Sequence, residues 1–183
     1  MWHALVLGVN KNMTTIKRSW AMPDKNTFDI QPIQKLVTRE MRESDGVWID
    51  PFCGECDHAD VTNDLNPNIE SDKTMKAQDF LTTFKDNEVN GGVLFDPPYS
   101  ARQIKEVYDS VGLEVTQETT QSSYWSEMKD EIQRICASGA TVITCGWNSN
   151  GTGMVRGFNI REILLVAHGG GHNDTIVTVE DKQ

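Results

Sequence analysis

The chain has 183 residues, 38% of them hydrophobic and 24% charged, and its 17 basic and 27 acidic side chains give a formal net charge of −10. This is the balance of a globular protein with one core. Its apolar runs fall far short of the roughly 20 residues that cross a bilayer, and its first residues lack the basic start of a secretory signal, so we expect neither a membrane nor a secreted protein. Four cysteines are too few for a disulfide scaffold and indicate reduced thiols in the cytoplasm.

Charge is distributed unevenly along the chain. Residues 1–42 carry a net charge of +4, whereas residues 43–183 carry −14. Because the whole chain is acidic, it is unsuited to coating nucleic acid by charge alone. The basic residues of the first segment either face a phosphate backbone or form an ordinary solvated surface. They are Lys11, Lys17, Arg18, Lys25, Lys35, Arg39 and Arg42.

Hydrophobic periodicity predicts alternating helices and strands. The first irregular stretch is residues 10–27, which are polar and interrupted by Pro23. Apolar residues at helical spacing predict helices over 28–42 (beginning near Pro32), 79–84, 101–111 and 124–137. Short apolar runs predict strands over 46–50, 59–64, 92–96, 141–146, 159–167 and 175–180, the last two forming a hairpin.

The alternation predicts an α/β fold: a mostly parallel sheet with helices on both faces, to which the hairpin adds an antiparallel edge strand. No repeat or linker marks a second domain, so residues 1–183 are predicted to form one. Ligands of such sheets bind beyond the carboxyl ends of the strands. We therefore expect Asp50, Asp64 and Asp96, which end three predicted strands, to converge on one cleft.

The strongest local motif is Asp96-Pro97-Pro98-Tyr99, directly after the clearest strand. The prolines restrict the backbone and hold the carbonyls of Asp96 and Pro97 as hydrogen-bond acceptors. The carboxylate is a third acceptor, and the tyrosine ring offers a flat stacking face. This set suits the exocyclic amino group of a planar base, with its lone pair turned towards an electrophile. A tight turn with a buried tyrosine is the structural alternative.

This motif resembles the catalytic Asp-Pro-Pro-Tyr of S-adenosylmethionine-dependent amino-methyltransferases, chiefly DNA adenine-N6 methyltransferases. Residues 50–54, Asp-Pro-Phe-Cys-Gly, resemble their cofactor turn, and residues 62–67 resemble their ribose-binding motif. The segments 22–36, 94–104 and 146–174 are similar to small phage-encoded adenine methylases. The resemblance implies a Rossmann-like methyltransferase sheet with a C-terminal antiparallel hairpin, without a separate target-recognition domain, acting in the host bacterial cytoplasm.

The resemblance also implies roles for individual residues. Asp50 and Gly54 would position the methionine part of S-adenosyl-L-methionine, and Asp64 would bind its ribose. The implied cofactor-binding set is Phe28, Ile30, Asp50, Phe52, Gly54, Asp64 and Asp79. The implied catalytic set is Asp96, Pro97, Pro98 and Tyr99, and Tyr99 also binds the base. Trp147 and Asn148, after the strand at 141–146, either line the base pocket or form a polar loop.

Two positions depart from the family. The cofactor turn continues Gly54-Glu55-Cys56, without its second glycine. Lys76 stands where an acid near the adenine amine is usual; either Asp79 replaces that acid or adenine recognition is weaker.

Other patterns compete with these motifs. A C-x2-C-x-H pattern is formed by Cys53, Cys56 and His58, and with Asp57 or Asp60 it suits zinc. A structural zinc site usually needs a second pair of ligands, which Cys136 and Cys145 do not supply. No metal is therefore predicted. His168 and His172 flank glycines that suit a tight connection better than a metal pair. Trp20, Tyr124 and Trp125 either stack on bases or pack, and we expect packing.

The resemblance favours a DNA adenine-N6 methyltransferase that acts on a base swung out of the helix. The acidity implies that DNA is held locally, by the basic N-terminal segment, or with a second copy or a specificity partner. RNA or another amine acceptor is chemically equivalent. A non-catalytic cofactor-binding subunit or decoy, and a zinc-stabilised nucleic-acid-binding module, are the alternatives from other classes.

Overall fold

The computed structural model describes residues 13–113 and 122–183, with the backbone alone at 101, 110 and 122–124. The strands are β1 Thr15–Trp20, β2 Trp48–Asp50, β3 Val61–Asp64, β4 Lys73–Thr74, β5 Gly92–Phe95, β6 Thr141–Gly146, β7 Phe158–Ala167 and β8 Thr175–Lys182. The helices are α1 Gln31–Arg42, α2 Ala77–Thr82, α3 Ala101–Ser110 and α4 Ser122–Ile135. Short 3-10 turns lie at Thr27–Asp29 and Met154–Arg156.

In the described parts of the chain, eight strands form one sheet in the order β1-β7-β8-β6-β5-β2-β3-β4. Every neighbouring pair is parallel except those of β8, which runs antiparallel to both β6 and β7. This confirms the predicted α/β class, with its mostly parallel sheet and C-terminal antiparallel hairpin. The predicted place of the hairpin at the sheet edge is wrong, because β8 inserts between β6 and β7.

The edge beside the hairpin is β1, in a segment that was predicted to be irregular. It pairs in parallel with β7, from Thr15 opposite Glu162 to Trp20 opposite Ala167. Five of its six residues are exposed, so its sequence lacks the alternation of hydrophobic and polar residues that marks a half-buried strand. Backbone pairing with β7, rather than side-chain burial, places this strand.

The helices pack on both faces of the sheet, as the α/β prediction requires. On β5, Leu94 belongs to the core cluster that includes Ile33 of α1. The neighbouring Val93 points to the other face, into the cluster that holds Phe80 of α2 and Met128 of α4. Because successive side chains of a strand point to opposite faces, β5 contributes to both halves of the core.

The boundaries of the predicted helices shift by a few residues. Helix α1 starts at Gln31 with a proline in its first turn, and α2 starts at Ala77 instead of 79. Helix α4 ends at Ile135, two residues before its predicted end. All four cysteines are buried free thiols. Within the described ranges, no helix has the length and hydrophobicity to span a bilayer.

Candidate active site

A cavity of about 470 Å³ opens where β2, β3 and β5 reach their carboxyl ends. Its volume lies in the range of sites for small molecules and cofactors. Predicted site residues that line it are Phe52, Asp64, Asp96, Pro97, Pro98 and Tyr99. Other parts of the chain contribute Lys25, Thr27, Lys76, Tyr108 and Trp125. The cavity therefore joins all three predicted motifs to residues from other parts of the sequence.

Asp96 is held at the wall of this cavity by the hydroxyl group of Tyr99. The Tyr99 hydroxyl donates a hydrogen bond to Asp96 Oδ1. The backbone N–H of Tyr99 is bound in turn by Gln103 Oε1 at 2.7 Å, which fixes the turn into α3. The Thr27 side chain lies beside both groups and opposes the rise in the pKa of each. Thr27 lies in a polar stretch far from the motif, so no pattern in the sequence marked it.

The protonation of this pair follows from its surroundings. Burial raises the pKa of Asp96 above its usual value, while the hydrogen bonds from Tyr99 and Thr27 partly oppose that rise. Burial, followed by the negative charge of Asp96, raises the pKa of Tyr99 above its usual range. Tyr99 therefore remains a hydrogen-bond donor, and Asp96 an acceptor with more basicity than an exposed carboxylate.

Asp50 lies beneath the cavity instead of lining it. It is 1% exposed, and its Oδ1 accepts a hydrogen bond from the Phe52 N–H at 2.9 Å. Burial raises its pKa well above the usual value, and the charges of Asp96 and Asp64 add to the effect. The three acids thus lie close together, as the strand pattern predicted. The observed contact of Asp50 is with the turn that carries Phe52.

Asp64 links the two predicted cofactor motifs. Its Oδ2 accepts from the Gly54 N–H at 3.0 Å and its Oδ1 from the Asn66 N–H at 2.7 Å. Gly54 has a φ of +55°, and a Cβ there would meet no atom closer than Asn26 Oδ1, at 3.7 Å. The backbone conformation therefore favours glycine at this position. With its N–H bound to Asp64, Gly54 braces a carboxylate that faces the cavity.

Five of the seven predicted cofactor residues are not in the cavity lining: Asp50 and Gly54, which support it, and Phe28, Ile30 and Asp79. Phe28 and Ile30 are 2% and 4% exposed and belong to the hydrophobic core around α1. Asp79 is exposed in the first turn of α2. Lys76, the residue before that helix, does line the cavity. The substitution of a lysine for the expected acid therefore lies at the site itself.

The loop after β6 reaches the site through one aromatic contact. The Trp147 ring meets the Tyr99 ring edge-on, with centroids 5.7 Å apart, and remains 46% exposed. Asn148 is exposed, and its Oδ1 accepts from the Asn150 N–H at 3.0 Å, so this amide oxygen stabilises its own loop.

Of Trp20, Tyr124 and Trp125, for which the sequence predicts packing, the structure describes the side chains of the two tryptophans. Trp125 packs against Phe52, with ring centroids 6.5 Å apart, and lines the cavity. Trp20 is 63% exposed on β1, so the expectation that it packs in the interior is wrong. The side chain of Tyr124 lies outside what the structure describes.

The two histidines at the β7–β8 connection do not converge. His168 is buried, with Nδ1 2.9 Å from the Ala21 carbonyl oxygen and Nε2 2.9 Å from Thr175 Oγ1. His172 is exposed in the connection itself. His168 therefore ties the end of β1 to the hairpin, a contact that the sequence did not predict, while the glycines lie in the β7–β8 connection as the sequence favoured.

Much of the N-terminal basic charge is paired within the molecule. Lys17 and Arg39 both contact Glu162, at 3.0 and 2.9 Å, and Lys25 contacts Glu55 at 2.6 Å. Lys11 lies outside the described residues. Arg18, Lys35 and Arg42 make no ion pair with any described residue. Fewer cations are therefore available to phosphates than the sequence count suggests.

No protein-family model matches this chain, and a comparison with curated proteins finds no match. Its structure is similar to that of TrmN from Thermus thermophilus, with a TM-score of 0.51 and 14% sequence identity. The similarity covers 84% of this chain and 49% of TrmN, so this chain spans about half the length of that protein. At this identity the likeness establishes the fold alone, a Rossmann-like α/β fold.

Proposed function

We propose that this chain is an S-adenosyl-L-methionine-dependent methyltransferase that acts on an exocyclic amino group, with adenine N6 in DNA as the acceptor. The observation that carries the proposal is the Asp96 carboxylate, held by the Tyr99 hydroxyl at a cavity that Thr27 and Asp64 also line. It lies at the carboxyl edge of the sheet, where α/β folds bind ligands. The similarity of the fold to that of TrmN, a methyltransferase, supports the reaction class.

The residues of the cavity fit this cofactor, which supplies a methyl group on a positively charged sulfur. Asp50, Asp64 and Asp96 place negative charge around the cavity, which favours a cation. Asp64 is the acid that would hold the ribose hydroxyls. The rings of Phe52 and Trp125 form an aromatic wall of the cavity. Asp50 contributes by holding the Phe52 turn.

Asp96 and Pro97 would orient the acceptor. The carboxylate and the Pro97 carbonyl accept hydrogen bonds from the two amino hydrogens, so the nitrogen lone pair points away from them towards the methyl carbon. Positioning of this kind is a main source of rate for a displacement reaction. With the cofactor bound, an N–C bond would form as the C–S bond of the cofactor breaks, and Asp96 would accept the proton that the methylated nitrogen releases. Its raised basicity suits that role.

A nucleic-acid acceptor is supported by positive charge at the cavity. Lys76 lines it from the start of α2, where it can neutralise a phosphate beside the bound base. We propose that DNA is held locally there, with a second copy or a specificity partner supplying the wider contact. The four buried free thiols suit the reducing cytoplasm, where we place the reaction.

The test is incubation with methyl-labelled S-adenosyl-L-methionine and equal amounts of double-stranded DNA, single-stranded DNA and RNA, followed by nucleoside analysis. Label in N6-methyladenine of DNA is expected, and Asp96→Asn should lower the rate by about 100-fold or more. Asp79→Asn is the matched control, because Asp79 is exposed and outside the cavity lining. Label in RNA alone would overturn the choice of DNA.

A non-catalytic cofactor-binding subunit is the second candidate, favoured by Lys76 at the position of the expected acid. It predicts cofactor binding by calorimetry with no label in any acceptor, and recovery of transfer only when a partner protein is added. Light scattering of the purified chain, with and without DNA, tests the homodimer directly.

A further inference from the structure

Three side chains of different chemistry converge next to the cofactor turn. Asp29 comes from the 3-10 turn before α1, whereas Cys56 and His58 follow β2. His58 Nε2 lies 3.0 Å from Asp29 Oδ1, and Cys56 Sγ lies 3.6 Å from Asp29 Oδ2. One ligand atom from each residue lies within 4.8 Å of the other two. The convergence joins segments almost thirty residues apart.

These separations suit a shared metal ion. A tetrahedral zinc with bonds of about 2.0–2.3 Å places its ligand atoms roughly 3.3–3.8 Å apart. His58 lies 3.0 Å from Oδ1 of Asp29 and Cys56 lies 3.6 Å from Oδ2, so small side-chain adjustments would place one Asp29 oxygen and the other two ligand atoms around an ion. A thiolate, an imidazole and a carboxylate form a borderline-soft set, which prefers zinc to magnesium or calcium.

The electrostatic surroundings also favour a cation. Cys56 is buried, while the neighbouring Glu55, Asp57 and Asp60 are exposed acids. Lys25 is paired with Glu55, at 2.6 Å, so it does not neutralise the cluster itself. The side chains of Asp29 and His58 are 39% and 20% exposed, which leaves an approach for a hydrated ion.

We propose that Asp29, Cys56 and His58 bind one Zn²⁺, with a water molecule as the fourth ligand. The ligand set differs from the pattern in the sequence. Cys53, the first cysteine of C-x2-C, directs its thiol to the Gly54 carbonyl at 3.4 Å and stays outside the cluster. Asp29, which no local spacing connects to the cysteines, replaces it.

The ion would brace two walls of the active-site cavity. The turn that ends at Asp29 begins at Thr27, which lines the cavity together with Asp96. The turn that contains Cys56 includes Gly54, whose N–H holds Asp64. Zinc would thus link the supports of both carboxylates. It contacts neither of them, so its role is structural.

The test uses the full chain stripped of metal by a chelator, then titrated with Co²⁺ and with Zn²⁺. We expect one equivalent of Co²⁺ to produce a thiolate-to-metal charge-transfer band and the visible absorption of tetrahedral cobalt. Zn²⁺ should displace it and raise the melting temperature by about 5 °C. Cys56→Ser should abolish the charge-transfer band, and His58→Ala and Asp29→Asn should each weaken binding at least about 10-fold.

Cys53→Ser and His172→Ala are the matched controls and should bind as the unchanged chain does. The proposal is overturned if Co²⁺ gives no charge-transfer band, if the band depends on Cys53 instead of Cys56, or if binding does not saturate below roughly 100 µM. If Cys56→Ser fails to fold, the loss of cobalt binding by His58→Ala tests the proposal instead, because His58 is partly exposed. Because no methyl transfer is measured, the result is independent of the proposed reaction.

Discussion

At the scale of a single residue, opposing influences set the protonation state of Asp96. Burial favours its neutral form, while the hydroxyls of Tyr99 and Thr27 favour the carboxylate. Only the carboxylate accepts from an amino group without offering a proton of its own. Activity should therefore fall as the pH drops through the raised pKa of Asp96, at a higher pH than for an exposed aspartate.

Tyr99→Phe tests this balance. Loss of the hydroxyl removes a donor to the charged form, so the pKa of Asp96 should rise further. We expect the acid limb of kcat/KM to move up by about one pH unit, since a hydrogen bond to a charged group contributes about 1.5–3 kcal/mol. Thr27→Val should act in the same direction. A pH–rate profile checks both, and an unmoved limb would show that Asp96 does not govern the profile.

Asp50→Asn tests how the ionisation of a buried acid affects the stability of the fold. Because the folded-state pKa of Asp50 is raised, its ionisation destabilises the fold as the pH rises from the unfolded value through the folded one. The amide keeps the acceptor for the Phe52 N–H. The variant should be more stable by about 1 kcal/mol at pH 8, with a smaller gain at pH 5.

Urea unfolding at the two pH values measures this effect. Asp57→Asn, at an exposed position, is the control and should change little at either. An equal gain for Asp50→Asn at pH 5 and pH 8 would contradict the assignment of the effect to ionisation.

At the scale of elements, the loop between β6 and β7 is fixed by a buried acid. Glu180 of β8 is 0% exposed and accepts from the N–H groups of Thr152 and Gly153. Lys129 of α4 donates to the Gly151 carbonyl. A Cβ at Gly151 would lie 2.3 Å from Glu180 Oε2. The position of this loop, and of Trp147 on it, therefore depends on glycine at 151.

Gly151→Ala should be costly for two reasons. Its φ of +54° is unfavourable for alanine, and the added methyl collides with the buried carboxylate. We expect a loss of about 3 kcal/mol in the free energy of unfolding. Gly112→Ala is the matched control, because Gly112 also has a positive φ but no atom within 4 Å of an added Cβ, and should cost only about 1 kcal/mol. Equal costs in chemical denaturation would refute the role of the collision.

The elements differ in how far the sequence predicted them. The stripe of Met128, Ile132 and Ile135 marked α4, because every one of these side chains is buried and hydrophobic periodicity records burial. The edge strand β1 left no such record, since its side chains are largely exposed. Strand β4 has only two residues, both exposed, and no pattern exists at that length.

At the scale of the whole molecule, charge limits the contact with nucleic acid. The net charge is −10, and Lys17, Lys25 and Arg39 are engaged with acids of the same chain. A small number of phosphate contacts should therefore hold the substrate. We expect log K for DNA to fall with log salt concentration with a slope of about −3, corresponding to about three contacts.

Fluorescence anisotropy with a labelled oligonucleotide across a range of salt concentrations measures this slope. Lys76→Ala should reduce it by about one, because Lys76 lines the cavity. Lys105→Ala, on an exposed residue paired with Asp109, is the control and should leave it unchanged. A slope near −8 would instead indicate wide phosphate contact and contradict the proposal that a few local contacts hold the DNA.

The sequence by itself determined the fold class and the placement of Asp50, Asp64 and Asp96 at strand ends, because strand patterns and turn residues are local signals that survive without a partner. Only the tertiary structure decided which distant groups meet. It inserted β8 within the sheet, brought Thr27 to Asp96 and placed Asp29 beside Cys56. Such pairings depend on how whole elements pack, and no periodicity within one segment encodes the partner that another segment will supply.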